Sequence, residues 1–116
     1  MGGFLNYLTK LYNNQGNLMM LSGILYNHES FRRGEEFVTK KIILHAARIR
    51  KETNRAVLNQ EIPKLRLGNL EARRDWGWAP EYMLGVLNST LASTSTELLI
   101  GTGKSASVKE FATRAF

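Results

Sequence analysis

One stretch limits the folds open to this chain more than any other. Leu18 to Tyr26 is an apolar run, interrupted only by Ser22 and Gly23, and it leads directly into Asn27-His28-Glu29-Ser30 and Arg32-Arg33-Gly34. Such a run fits a strand buried on both faces, as in a parallel sheet. In an open α/β sheet, ligands collect outside the carboxyl ends of the strands. A core has little use for Asn, His, Glu and two Arg, so this polar knot points to a binding site.

The rest of the pattern alternates helices and strands. Phe4, Leu5, Leu8, Leu11 and Tyr12 repeat at helical spacing, predicting a helix from Phe4 to Asn14 that stops at Asn13-Asn14-Gln15-Gly16-Asn17. After a loop over Asn27–Gly34, a second helix is expected to about Lys51, with Glu35 and Glu36 where a helix start favours acids. Glu52 to Pro63 reads as either a helix extension or an insertion. Lys64 to Asn69 alternates like a short strand. Pro80 suits the first turn of a helix running to about Leu91. Ala92 to Thr96 reads as a Ser/Thr linker, Glu97–Ile100 as a strand, Gly101–Ser107 as a loop and Val108–Phe116 as a final helix. The order α-β-α-β-α-β-α predicts an α/β layer.

At 116 residues the chain suits one small domain. It has no cysteine, which excludes disulfides and thiolate metal sites. No apolar run is long enough to span a bilayer, and the first residues lack a signal peptide's charged region. A cytoplasmic protein is the expectation, with no membrane partner. The formal charge of +6, with most Lys and Arg between Arg32 and Arg74, suggests an anionic partner. Arg48, Arg50, Lys51 and Arg55 read as a solvated helix face; Arg33, Lys41 and Arg74 have more pointed surroundings.

Gly101-Thr102-Gly103-Lys104-Ser105 invites comparison with a phosphate loop. That motif needs a glycine at position 98, where this chain has Leu98. His28 and His45 lack the converging ligands of a metal site. His45 reads as a partly buried helix residue, whereas His28 suits either a ligand contact or a structural hydrogen bond. In Arg74-Asp75-Trp76-Gly77-Trp78, Asp75 could hold a guanidinium toward a phosphate, since arginine offers a forked, permanent charge. The plainer reading is a surface ion pair with aromatic packing.

Three blocks together resemble one family. They are Gly23-Ile24-Leu25-Tyr26-Asn27-His28-Glu29-Ser30-x-Arg32-Arg33-Gly34, Phe37-Val38-Thr39-x-Lys41, and Leu67-Gly68-Asn69-Leu70-Glu71-Ala72-x-Arg74-Asp75-Trp76-Gly77. The tail, with Ile100-x-Thr102-Gly103 and Ser107-Val108-x-Glu110-Phe111, fits as well. The chain resembles the GDP-mannose 4,6-dehydratases, which are extended short-chain dehydrogenase/reductase lyases. The resemblance implies a Rossmann-type α/β fold: the C-terminal part of the sheet plus part of the substrate-binding region, with residues 1–116 forming a single partial domain. It implies NADP as cofactor and GDP-mannose or a related GDP-sugar as substrate. It further implies conversion to GDP-4-keto-6-deoxymannose, a step toward GDP-fucose. By the same resemblance, His28 and Arg33 contact NADP, while Asn27, Val38, Lys41 and Arg74 contact the GDP-sugar.

The family's glycine-rich loop and its Tyr-x-x-x-Lys pair have no counterpart in these 116 residues; Tyr7-Leu8-Thr9-Lys10 is one residue short. The expectation is therefore a partial chain, without the N-terminal NADP-binding and catalytic part and inactive alone. Phe31 stands where the family has Pro, and the 51–63 region is longer than typical. A homo-oligomer or a complementing N-terminal polypeptide is a possible partner under this reading. The alternative is a basic, non-enzymatic module for nucleic acid or protein interaction. Against nucleic acid, the acids Glu29, Glu35, Glu36, Glu71 and Asp75 interrupt the basic stretch.

Overall fold

Helix α1, Gly2–Asn14, forms where the apolar spacing predicts it. Its end is specified locally: Gln15 N donates to Tyr12 O at 3.1 Å and Gly16 N to Asn13 O at 3.3 Å. Gly16 takes φ 75°, a left-handed conformation that costs glycine little. The Asn13 side chain then grips Met20 from both sides. Its Nδ2 donates to Met20 O at 2.9 Å, and its Oδ1 accepts from Met20 N at 2.6 Å. The computed structural model describes residues 2–16, 19–54, 64–92 and 97–116. They form two compact units, residues 1–30 with 75–104 and residues 31–74 with 105–116.

In the first unit, strand β1 (Ser22–Leu25) pairs in parallel with β5 (Glu97–Ile100), from Ser22 opposite Glu97 to Leu25 opposite Ile100. Tyr26 N extends the ladder by one bond, donating to Ile100 O at 2.9 Å. The same extended backbone then changes partner. Strand β2 (Asn27–Glu29) pairs in parallel with β4 (Trp76–Trp78). Helix α3, Ala79–Ala92, packs on β2, β4 and β5, and α1 touches β1. Tyr82 of α3 is the buried hydrophobic residue of this unit among the described residues, with 3% of its surface exposed.

In the second unit, helix α2 (Val38–Asn54) packs against α4 (Val108–Ala115). The two-residue strands β3 (Arg73–Arg74) and β6 (Ala106–Ser107) run antiparallel. Four backbone donors at the start of α4 all find acceptors. Ser107 Oγ accepts from Glu110 N at 3.1 Å, and Glu110 Oε2 accepts from Ser107 N at 2.6 Å, a capping box. Val108 N donates to Ala72 O at 3.0 Å and Lys109 N to Leu70 O at 2.9 Å. Helix starts leave such groups orphaned unless a neighbouring segment supplies oxygens. Ile42 and Val108 form the buried apolar centre here, Ile42 at 1% exposure.

The chain is thus an α/β fold with small parallel sheets, as its alternating pattern implies. Several details differ from the sequence reading. The apolar strand starts at Ser22, and it is not covered on both faces: Ile24 is 61% exposed and its partner Leu99 63%. An apolar run records fitness for burial, and the described residues supply no layer over these two side chains. Asn27–Glu29 is a paired strand rather than a loop. Lys64–Asn69 forms no strand; its alternation has no edge to pair with, and the pairing residues lie further on, at 73–74 and 76–78. Ala106–Ser107, expected as loop, pairs with β3. Glu35 and Glu36 precede α2, whose first turn holds no acid. Helix α2 continues to Asn54; residues 55–63 and the linker residues 93–96 lie outside the described residues. Among the described residues no helix is long and apolar enough to cross a membrane.

Candidate functional site

Parallel pairing of β2 with β4 brings two of the singled-out sequence blocks side by side. Asn27 faces Trp76 across the ladder, His28 faces Gly77 and Glu29 faces Trp78. The strands are only three residues long, so their position depends on what flanks them. That support comes from Asp75, immediately before β4. Its Oδ1 accepts from Thr102 N at 3.1 Å and from Thr102 Oγ1 at 2.7 Å, and its Oδ2 accepts from Gly103 N at 2.9 Å. Lys104 N in turn donates to Thr102 Oγ1 at 3.1 Å.

This arrangement revises two readings. Asp75 does not present Arg74; its carboxylate is committed to the 102–103 loop, and Arg74 Nη1 donates to the Arg73 carbonyl at 2.7 Å. The Gly101-Thr102-Gly103 turn, with Gly103 at φ 73°, does point amides at an anion, but the anion is the chain's own Asp75. Gly101 is needed there. A Cβ would run into the Tyr26 ring and approach Asp75 Oδ2 at 3.1 Å.

Partial desolvation pushes the Asp75 carboxyl up, but the donors on Thr102 and Gly103 outweigh it and hold the group below the ordinary carboxylate range. Tyr82 lies beside it. Burial, then the Asp75 charge, push the phenol above its usual value. The Tyr82 hydroxyl is enclosed with no aligned hydrogen-bond partner, so the pair interacts mainly through charge.

The sign of the resulting pH dependence follows from linkage. A carboxyl with a depressed folded pKa adds stability that is present above its unfolded value and is lost as pH falls through the folded one. Glu110, lowered by its bond from Ser107 N and by Arg73 at 3.3 Å, adds in the same direction. Stability is therefore expected to fall as pH drops below the ordinary carboxylate range. Asp75→Asn should be less stable at neutral pH and show a shallower acid limb. Urea midpoints measured across that range check this; identical limbs would contradict it.

His28 is oriented by three neighbours. Its Nδ1 lies 2.9 Å from the Tyr26 carbonyl, its ring stacks on Tyr82 with centroids 5.2 Å apart and planes 28° apart, and its backbone is fixed opposite Gly77. Asn27 shares the first unit with His28, whereas Arg33, Val38, Lys41 and Arg74 lie in the second. Arg33 follows the turn at 31–32, with its guanidinium 3.6 Å above the Phe37 ring, a cation–π contact. Lys40 Nζ donates to Phe31 O at 2.8 Å, tying that turn to α2. Val38 opens α2 and Lys41 follows three residues later, so the two share a helix face. Arg74 lies exposed on β3. Lys41 also borders a shallow pocket of about 210 Å³ with Glu35, His45, Arg48 and Leu65. Among the described residues, no group of three His, Asp or Glu could hold a metal ion. Sequence reasoning missed Tyr82, Gly77 and the Asp75 clamp. The available signal was the glycine between two tryptophans, which leaves room for a ring.

Comparison with known proteins places the sequence in a family. The family model described as GDP-mannose 4,6 dehydratase matches residues 4–116. GDP-mannose 4,6 dehydratase 2 of Caenorhabditis elegans is 45% identical over 95 residues, 82% of this chain and 23% of that protein. The Drosophila melanogaster GDP-mannose 4,6 dehydratase is 37% identical over 105 residues, 90% of this chain and 25% of that protein. The human protein of the same name is 40% identical over 100 residues, 86% of this chain and 25% of that protein. The chain thus spans about a quarter of the length of these relatives. With the matched region covering nearly every residue, the chain belongs to the GDP-mannose 4,6-dehydratase family.

Proposed function

We propose that this chain carries part of the nucleotide-sugar and cofactor surface of a GDP-mannose 4,6-dehydratase, and that these 116 residues alone do not turn the substrate over. The observation that carries the reading is the pairing of Asn27-His28-Glu29 with Trp76-Gly77-Trp78, two blocks distant in sequence, on adjacent parallel strands. In this reading Asn27, Val38, Lys41 and Arg74 bind the GDP-sugar, and His28 and Arg33 bind NADP. Guanidinium and ammonium groups suit a diphosphate, and a side-chain amide suits its oxygens or the sugar hydroxyls.

The residues fit a dinucleotide. Arg33 supplies permanent charge, and His28 Nε2 makes no hydrogen bond among the described residues. When bound, NADP would accept and return the hydride exchanged with the hexose. The chain's own residues hold and orient the ligands. The same reading includes a cytoplasmic location. It also includes a partner, a second copy or a complementing polypeptide, to cover apolar side chains such as Ile24, Leu84, Leu87, Leu91 and Leu99, which are exposed here.

The test is direct. Purified chain incubated with GDP-mannose and NADP+ is expected to give no 4-keto product above buffer, because neither Tyr-x-x-x-Lys nor a glycine-rich loop occurs in the sequence. Sustained turnover would overturn the inactivity, and failure to bind either ligand would overturn the binding reading.

A further inference from the structure

His28 can offer a ligand only one of its two ring nitrogens, and the geometry determines what that nitrogen can recognise. Its Nδ1 lies 2.9 Å from the Tyr26 carbonyl oxygen. A carbonyl only accepts, so Nδ1 carries the proton and donates. In the neutral ring Nε2 then holds a lone pair and can only accept. A phosphate oxygen is also an acceptor and cannot satisfy it. A hydroxyl or an amide N–H can.

Resting on the reading of His28 as a ligand contact, we infer that Tyr82 is a positioning residue that fixes the His28 imidazole so that Nε2 selects a hydrogen-bond donor, rather than a phosphate oxygen, on the ligand. Several independent features converge on Tyr82. Its ring stacks on His28 and is almost fully buried. It sits in the first turn of α3, where Pro80 pre-sets the backbone. The strand residue facing His28 is glycine, and a Cβ on Gly77 would overlap the Tyr82 ring. The Tyr82 hydroxyl lies toward Asp75, which is itself held by Thr102 and Gly103. The 102–103 loop, Asp75, Tyr82 and His28 thus form one connected support. It orients the ring without touching the ligand.

Two histidines make the test tractable by NMR on the full chain labelled at histidine. His45→Gln assigns the His28 signals. Long-range proton–nitrogen correlations read the tautomer, and the upfield displacement of the ring protons reads the stacking. The expected result is the Nδ1–H tautomer in the wild-type chain and in Tyr82→Phe, which keeps the ring. Tyr82→Leu should lose the upfield displacement and mix the tautomers. Added NADP+ should move the Nε2 signal, whereas inorganic pyrophosphate should not.

An Nε2–H tautomer in the wild-type chain, His28 signals indifferent to Tyr82→Leu, or an equal shift with pyrophosphate would each overturn the proposal. If Tyr82→Leu fails to fold, the wild-type tautomer and the pyrophosphate titration decide on their own. A correct tautomer and Tyr82 dependence, with no response to NADP+, would support the positioning role and reject the cofactor reading.

Discussion

Gly77→Ala is expected to destabilise the first unit by about 1–3 kcal/mol, the usual range for forcing extra volume into a packed site. A Cβ at position 77 would overlap the ring edge and hydroxyl of Tyr82. The ring has little room to retreat, because it is buried and stacked on His28. The alternative escape, movement of β4 away from α3, would break the short ladder with β2. Tyr82→Ala should itself cost about 3–5 kcal/mol through lost burial and the cavity left behind. It also removes the clash, so Gly77→Ala should cost far less in that background. Contacting sites are where additivity fails. Urea unfolding of the four proteins measures the coupling. Simple addition of the two costs would show that the glycine is not there to admit the tyrosine.

Ile42→Ala is expected to cost about 2–5 kcal/mol in the second unit. Small domains have about 5–15 kcal/mol of net stability in all. Few buried side chains share the load here: Ile42 and Val108 are the buried hydrophobics of the second unit among the described residues, and Ile42 is the more enclosed. An exposed neighbour on the same helix, Ile43, is the control, since truncating a half-exposed side chain leaves no closed cavity. Circular dichroism melts should show a large drop for Ile42→Ala and a small one for Ile43→Ala. Equal drops would mean that α2 is held by something other than the burial of Ile42.

The helices were legible because their signals are local. Apolar spacing located α1, Pro80 marked the start of α3, and the amphipathic pattern of Val108–Phe116 located α4. Strands of two or three residues were not legible. Arg73–Arg74 and Trp76–Trp78 show no alternation to count, and each exists only because a partner lies beside it. Lys64–Asn69 had the alternation and no partner. For the proposed site, residue types carried the resemblance, so Asn27, His28 and Arg74 could be named as expectations from the sequence. The supports could not be named. Asp75 looked like the partner of its neighbour Arg74, yet it serves a loop 27 residues away, and nothing local records that pairing. Tyr82 stood only as an aromatic at the start of a helix, and nothing local records its stacking on His28.

The central proposal is a ligand-binding edge formed by β2 and β4. An amide-resolved NMR titration of the full chain with GDP-mannose examines that edge residue by residue. The predicted result is saturable shifts concentrated at residues 27–29 and 76–78, together with Val38, Lys41 and Arg74, and a weaker response in Asn27→Ala. Shifts confined to the exposed arginines of α2, reproduced by any polyanion and unaffected by Asn27→Ala, would contradict it.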